Sequence, residues 1–359
     1  MNKIVPITVE SIQTACLEFD IPFIDGLMIS LNMHGAFCHA PVPRSRMVLR
    51  FDGSPDHWKV ILPLENKQSS FLIEEDTIIL EGNPVATIVE RENDDVVLTY
   101  LRAGGRSITL NTNSRSNCIG CVFCPNIIED AADGTIVDKD GLSQVLEWLC
   151  YENNWSDLSH SDVITVCSGC FRTPGAATRH MAHLRQAAEQ LGFNGRLHLL
   201  SSVIREDDDL KAFVDAAGAS HITFTIECFE RRDVLLKNTK ASLTIDQTCQ
   251  AIDTLNECGA IGDYTYVAGL DSFDAASEGL AQLNAHVTTF PRIQVFQAHN
   301  PMMKKYIHPE ASTLPYYLRL RKMLEPQLAE RGLKPVYWEN YRPLWSTSYN
   351  EELTVGPRV

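Results

Sequence analysis

At 359 residues, with 44% hydrophobic and 21% charged side chains, the chain can bury a full core and hold one large or two unequal domains. A net charge of −15 disfavours nucleic acid as the main partner, and no stretch approaches the ~18 apolar residues of a membrane span. Eleven cysteines, with Glu10 and Glu18 where a secretion signal would need an apolar run, point to a reducing, cytoplasmic setting.

Residues 1–106 lack strand–helix alternation and read as a β-rich N-terminal domain. Leu27–Leu31, Met47–Phe51 and Trp58–Leu62 are short β-like runs, punctuated by turns at Asp52-Gly53 and Gly82-Asn83-Pro84. Arg44-Ser45-Arg46 and, later, Lys304-Lys305 read as solvated surface or a single anion contact. His34, Cys38 and His39 raise a metal reading, but no fourth ligand sits nearby and histidines in such loops are usually structural. Val96–Leu101 and Ser107–Leu110 read as a hairpin around Arg102-Ala103-Gly104-Gly105-Arg106.

From Ser107 the pattern changes. Strands are expected at 107–112, 162–167, 196–202, 221–227, 263–269 and 292–297. Leu142, Val145, Leu146 and Leu149 give a helical stripe with Asp140 as N-cap. Leu184–Leu191 closes at Gly192, Leu210–Ala217 at Gly218, and Thr244–Cys258 at Gly259. This alternation predicts an α/β fold with a parallel sheet and right-handed crossovers. Six units over 107–332 fit a partial (β/α)6 TIM-like barrel better than a closed one. Pro315–Gly332 reads as a last helix, bent or divided by Pro326. The tail, 333–359, is aromatic and is expected to pack over a barrel end.

Cys118-Ile119-Gly120-Cys121-Val122-Phe123-Cys124 is the most informative stretch. Three thiols in one loop can converge on one metal centre, and thiolates are the usual ligands of iron–sulfur clusters and zinc. Three such ligands leave one iron of a four-iron cluster open to a small molecule. The loop resembles that of the radical S-adenosylmethionine (SAM) superfamily, which carries three clustered cysteines after the first barrel strand. Phe123 matches the family's aromatic before the third cysteine. The first gap holds two residues, Ile119 and Gly120, where the family has three.

The resemblance implies an enzyme in which Cys118, Cys121 and Cys124 hold a [4Fe–4S] cluster. With an electron from a donor such as flavodoxin or ferredoxin, SAM would be cleaved to a 5′-deoxyadenosyl radical, which takes hydrogen from a small-molecule substrate. It also implies cofactor contacts at the strand ends: Phe123; Ser168-Gly169-Cys170 for the methionyl amino group; Ser202; Glu227 for ribose and Arg231 for the carboxylate; and Gln297. A Glu227–Arg231 salt bridge is the plain alternative. Tyr264 and Tyr266 share one strand face and, with His299 and Asn300, are candidates for the substrate. A zinc protein, structural or hydrolytic, using the three cysteines and Cys170 or Cys167 is the competing reading.

Overall fold

Two helices come first, where a strand was expected. The computed structural model of the protein describes residues 7–39, 43–93, 100–110, 121–124, 138–167, 171–336 and 342–354. Thr8 and Ser11 exchange side-chain and backbone bonds in a capping box that starts α1, Val9–Glu18. The run Leu27–Leu31 is the middle of α2, Phe23–His34, in which every residue from Asp25 to Met33 is buried. A helix buried all round has no polar stripe, so its periodicity does not separate it from a buried strand. The helix ends at Gly35, φ +58°, where a Cβ would meet the Pro63 carbonyl oxygen at 2.6 Å.

A six-stranded sheet follows, made of β1 (Phe37–Cys38), β2 (Arg44–Phe51), β3 (His57–Pro63), β4 (Phe71–Glu74), β5 (Thr77–Leu80) and β6 (Asn83–Asn93). Its order is β1-β4-β5-β6-β2-β3, antiparallel apart from the β1–β4 pair. The expected Met47 and Trp58 runs are β2 and β3.

The second sheet opens with the expected hairpin, β7 (Tyr100–Arg102) and β8 (Ser107–Leu110); Val96–Thr99 lie outside the described residues. Then come α3 (Lys139–Glu152), β9 (Val163–Val166), α4 (Pro174–Gln190), β10 (Arg196–Ser201), α5 (Asp207–Ala217) and β11 (Ser220–Glu227). Two short helices, α6 (Arg232–Leu235) and α7 (Asn238–Ser242), precede α8 (Ile245–Glu257), β12 (Ile261–Ala268), α9 (Phe273–Asn284) and β13 (Arg292–Val295). Strand order follows chain order, and every pair from β8 to β13 is parallel. The N-cap of α3 is Asp138, whose carboxylate accepts from Gly141 N–H at 2.9 Å, two residues before the expected Asp140.

Sequential order with crossovers of one hand puts the helices on one face. Neighbours α3 to α5, α8, α9 and α10 (Leu314–Ala329) pack side by side accordingly. Pro326 lies inside α10 without dividing it. The helix-facing side chains of the sheet are apolar, among them Ile108, Ile164, Leu197, Ile222 and Ile293. The opposite face is polar, with Thr109, Thr165, His198, His221, Thr223, Asp263, Thr265 and Arg292 in register.

The N-terminal part touches both borders of this sheet. On one side the Lys59 ammonium reaches the Leu101 carbonyl at 3.5 Å, and Arg46 lies 4.7 Å over the Tyr100 ring. On the other, Gln297 just beyond β13 donates to Asn32 Oδ1 and to the Ile61 carbonyl, both at 2.8 Å. The tail was expected over a barrel end; its described residues pack on α10, where Trp345 is buried and its indole N–H donates to Glu325 at 2.9 Å. The tail closes in a small hairpin, β14 (Ser348–Tyr349) and β15 (Glu352–Leu353).

Candidate active site

Of the cysteine loop, Cys121 to Cys124 are described; Cys118 lies outside the described residues. Cys124 N–H donates to the Cys121 carbonyl at 2.9 Å, so the two thiols share one tight turn. Val122 N–H fastens that turn to the Leu235 carbonyl at 3.1 Å. Cys121 and Phe123 are buried among Cys228, Leu235, Val267, Leu270, Phe296 and Met303. The Phe123 ring meets Phe296 edge-on at 6.0 Å. Cys228, Val267 and Phe296 stand at the C-terminal ends of β11, β12 and β13. The loop therefore covers the end of a parallel sheet where binding sites form.

Beneath it, Arg232 donates to the carbonyls of Ile226, Cys228, Lys240 and Leu243, tying the β11–α8 connection together. Burial pushes the Cys228 thiol far above its usual range, and Arg232 pulls the other way. Among the described residues no three metal-ligating side chains converge. The His34, Cys38 and His39 reading gains no support: Cys38 Sγ accepts from Arg91 at 3.4 Å, and His39 packs edge-on against Phe37.

Glu227 ends β11 at a bulge, with φ 68°. That left-handed backbone turns its carboxylate to Lys240 at 2.7 Å, and the alternative pairing with Arg231 does not form. Arg231, also at positive φ, donates instead to the carbonyls of Leu270 and Tyr306. Ser202 is buried against the Thr225 hydroxyl. Gln297 spends its amide N–H groups on the N-terminal part, as above, which makes it a bridge between the sheets. Asn300 caps the turn at Met303, accepting from its N–H at 2.9 Å. His299 is held neutral by burial and by the charges of Arg44 and Arg342. Ser168, Gly169 and Cys170 lie outside the described residues. Cys167, just before them, is a thiol raised by burial, with Lys240 and Glu227 among its charged neighbours.

Tyr264 and Tyr266 do share a face, but it is the helical one. Tyr264 O–H donates to Asn284 on α9 at 2.5 Å, and Tyr266 stacks on Phe229 at 5.2 Å. Strand alternation gives the opposite face to Asp263 and Thr265. The two phenols fill the helix layer and do not line a cavity on the polar face.

The residues on that face went unnoticed in the sequence. Asp263 pairs with Arg292, accepts from Thr223 and lies 3.2 Å from His221. Burial alone would raise its carboxyl, but Arg292 and His221 hold it below the usual range. His198 stacks on His221 at 4.2 Å and bonds Thr165 and Thr223 through its two ring nitrogens. Burial, with Arg292 next, keeps His198 neutral. Polar residues at every second position of these strands were the available signal, since a parallel sheet covered on both faces is normally apolar on both. Arg44 and Arg46 are likewise buried, where solvated surface or a single anion contact was expected.

Neither a family profile nor a curated protein sequence matches the chain. Among the described residues no helix is long and apolar enough to cross a membrane.

Proposed function

We propose that the protein is a radical SAM enzyme acting on a small molecule, built on an open (β/α)6 barrel. The observation that supports it most is the position of Cys121 and Cys124, paired on one turn over the C-terminal ends of β11, β12 and β13. Soft thiols in an apolar, water-poor setting suit an iron–sulfur centre, and Cys118, three residues before Cys121, is the third ligand in this reading. A cluster held by Cys118, Cys121 and Cys124 would supply the one-electron reducing chemistry for cleavage of SAM.

The chain's own part is holding and shielding. Phe123 and Phe296 exclude water beside the thiols. Glu227, aimed by its backbone and steadied by Lys240, offers a carboxylate to ribose hydroxyls. The backbone at Ser168-Gly169-Cys170 receives the methionyl amino group. An electron donor such as flavodoxin or ferredoxin is required, and the setting is cytoplasmic.

Anaerobic reconstitution with iron and sulfide tests this. The protein should turn brown, bleach with dithionite, and form 5′-deoxyadenosine from SAM. A colourless protein carrying one zinc, with no 5′-deoxyadenosine, would refute the reading.

A further inference from the structure

Two connections at the C-terminal end of the parallel sheet hold one another. One runs from β11 into α6, the other from β12 into α9. Asp271, fully buried in the second, accepts from Phe229 N–H at 2.9 Å and from Glu230 N–H at 2.8 Å, one bond to each carboxylate oxygen. Glu230 returns the contact. Its carboxylate accepts at 2.7 Å from the N–H of Ser272, the N-cap of α9. Behind them, Tyr316 on α10 donates to the Asp271 carbonyl at 3.0 Å.

A buried carboxylate is costly, and hydrogen bonds to its charged form offset the cost. Burial raises the Asp271 carboxyl to about 6, while the bonds from Glu230 and Phe229 pull it down. The charged form therefore prevails at neutral pH, where it is the better acceptor. Arg232 ties together carbonyls of its own connection. Asp271 does something different, fixing that connection to the neighbouring strand.

The path from this clamp to the cysteines is short. Arg231, next after Glu230, is the N-cap of α6 and donates to the Leu270 carbonyl, one residue before Asp271. Leu235 ends α6, and its carbonyl accepts from Val122 N–H, between Cys121 and Cys124. Cys228, Leu235 and Leu270 share one apolar cluster with Cys121 and Phe123. We propose that Asp271 is the positioning residue of the cysteine turn: its two N–H bonds set the β11–α6 connection, and that connection sets where Cys121 and Cys124 sit over the strand ends. A consequence for a cluster rests on the proposed function; the placement of the turn does not.

The test uses the metal-free full chain. Cys121 and Cys150 are each 7% exposed, and Cys150 belongs to α3, outside the clamp. Brief labelling with iodoacetamide is read residue by residue by mass spectrometry. In Asp271→Asn, which keeps one acceptor and turns a donor towards the other N–H, Cys121 should label about tenfold or more faster than in the parent. Cys150 should label at the parent rate, which global loosening would not allow. Glu310→Gln alters a carboxylate that accepts from Phe273 N–H instead, and should leave Cys121 unchanged. If Asp271→Asn fails to fold, hydrogen exchange on the parent in low urea replaces it. The amides of Val122, Phe229 and Glu230 should then exchange through one common opening, with the same dependence on urea. Cys121 labelling that ignores Asp271→Asn, an equal rise at Cys150, or separate openings of those amides overturns the proposal. After reconstitution of the parent, colour separates the two ideas. A colourless parent whose Cys121 responds to Asp271→Asn refutes the cluster alone, and a brown parent whose Cys121 ignores it refutes the clamp alone.

Discussion

Lys240 donates to Glu227 across 2.7 Å, and Glu227 keeps a left-handed backbone to receive it. Such a conformation costs a non-glycine residue about 1 kcal/mol or more, and persists where the surroundings impose it. A charged hydrogen bond contributes about 1.5–3 kcal/mol. Glu227→Gly relieves the first and loses the second, so stability should drop by no more than about 2 kcal/mol. Formation of 5′-deoxyadenosine should fall at least about tenfold if the carboxylate holds SAM. Urea unfolding and product assay on the same variant separate the two roles. A near-normal rate would make the pair purely structural.

The cysteines near the centre should divide sharply. Cys121→Ala and Cys124→Ala are each expected to lose bound iron and the brown colour. Cys228→Ala, buried in the same apolar cluster, should keep both and lose only about 1 kcal/mol for the small cavity. Iron analysis after reconstitution decides. Retention in the first two with loss in the third would mean that the ligand set has been misassigned.

Asp25 joins the first and last parts of the chain. Its carboxylate accepts from the backbone N–H groups of Ser346, Thr347 and Ser348 and from two hydroxyls, and Arg321 on α10 lies 3.0 Å away. Asp25→Asn turns an acceptor into a donor facing donors and leaves the Arg321 charge less balanced. A loss of about 3–5 kcal/mol is expected in urea unfolding. A change below about 1 kcal/mol would show that this junction contributes little.

Stability should also respond to mild acid through His34. Burial, helped by the charge of Lys304, lowers its pKa from 6.5 to about 4. A depressed folded value means the contribution is fully present above pH 6.5 and is lost as pH falls towards 4. His34→Gln should flatten the stability curve across that window and leave it unchanged above pH 7. A variant that loses stability as steeply as the parent would rule this out.

The β/α half was legible in the sequence because each strand is bounded by helix caps and glycines, as at Thr244 and Gly259. Strand limits fell within two residues of those observed. The N-terminal half was harder. In α2 even Asp25 is inside, so neither periodicity nor charge marked a helix. For the site, local motifs could be read and convergence could not. Arg44, His299 and Arg342 become neighbours only through the fold, and the partner of Glu227 lies thirteen residues onward at Lys240, not at the nearer Arg231. Tyr264 and Tyr266 were assigned a common face correctly, but alternation alone does not say which face the helices will cover.

The two-sided grip of the N-terminal sheet also limits how the gene can be shortened. A fragment beginning at Ser107 would strip β7 from β8 and leave that margin of the parallel sheet without its backbone partner. Exposed backbone of that kind pairs with other copies of itself. Deleting residues 1–106 is expected to yield aggregate.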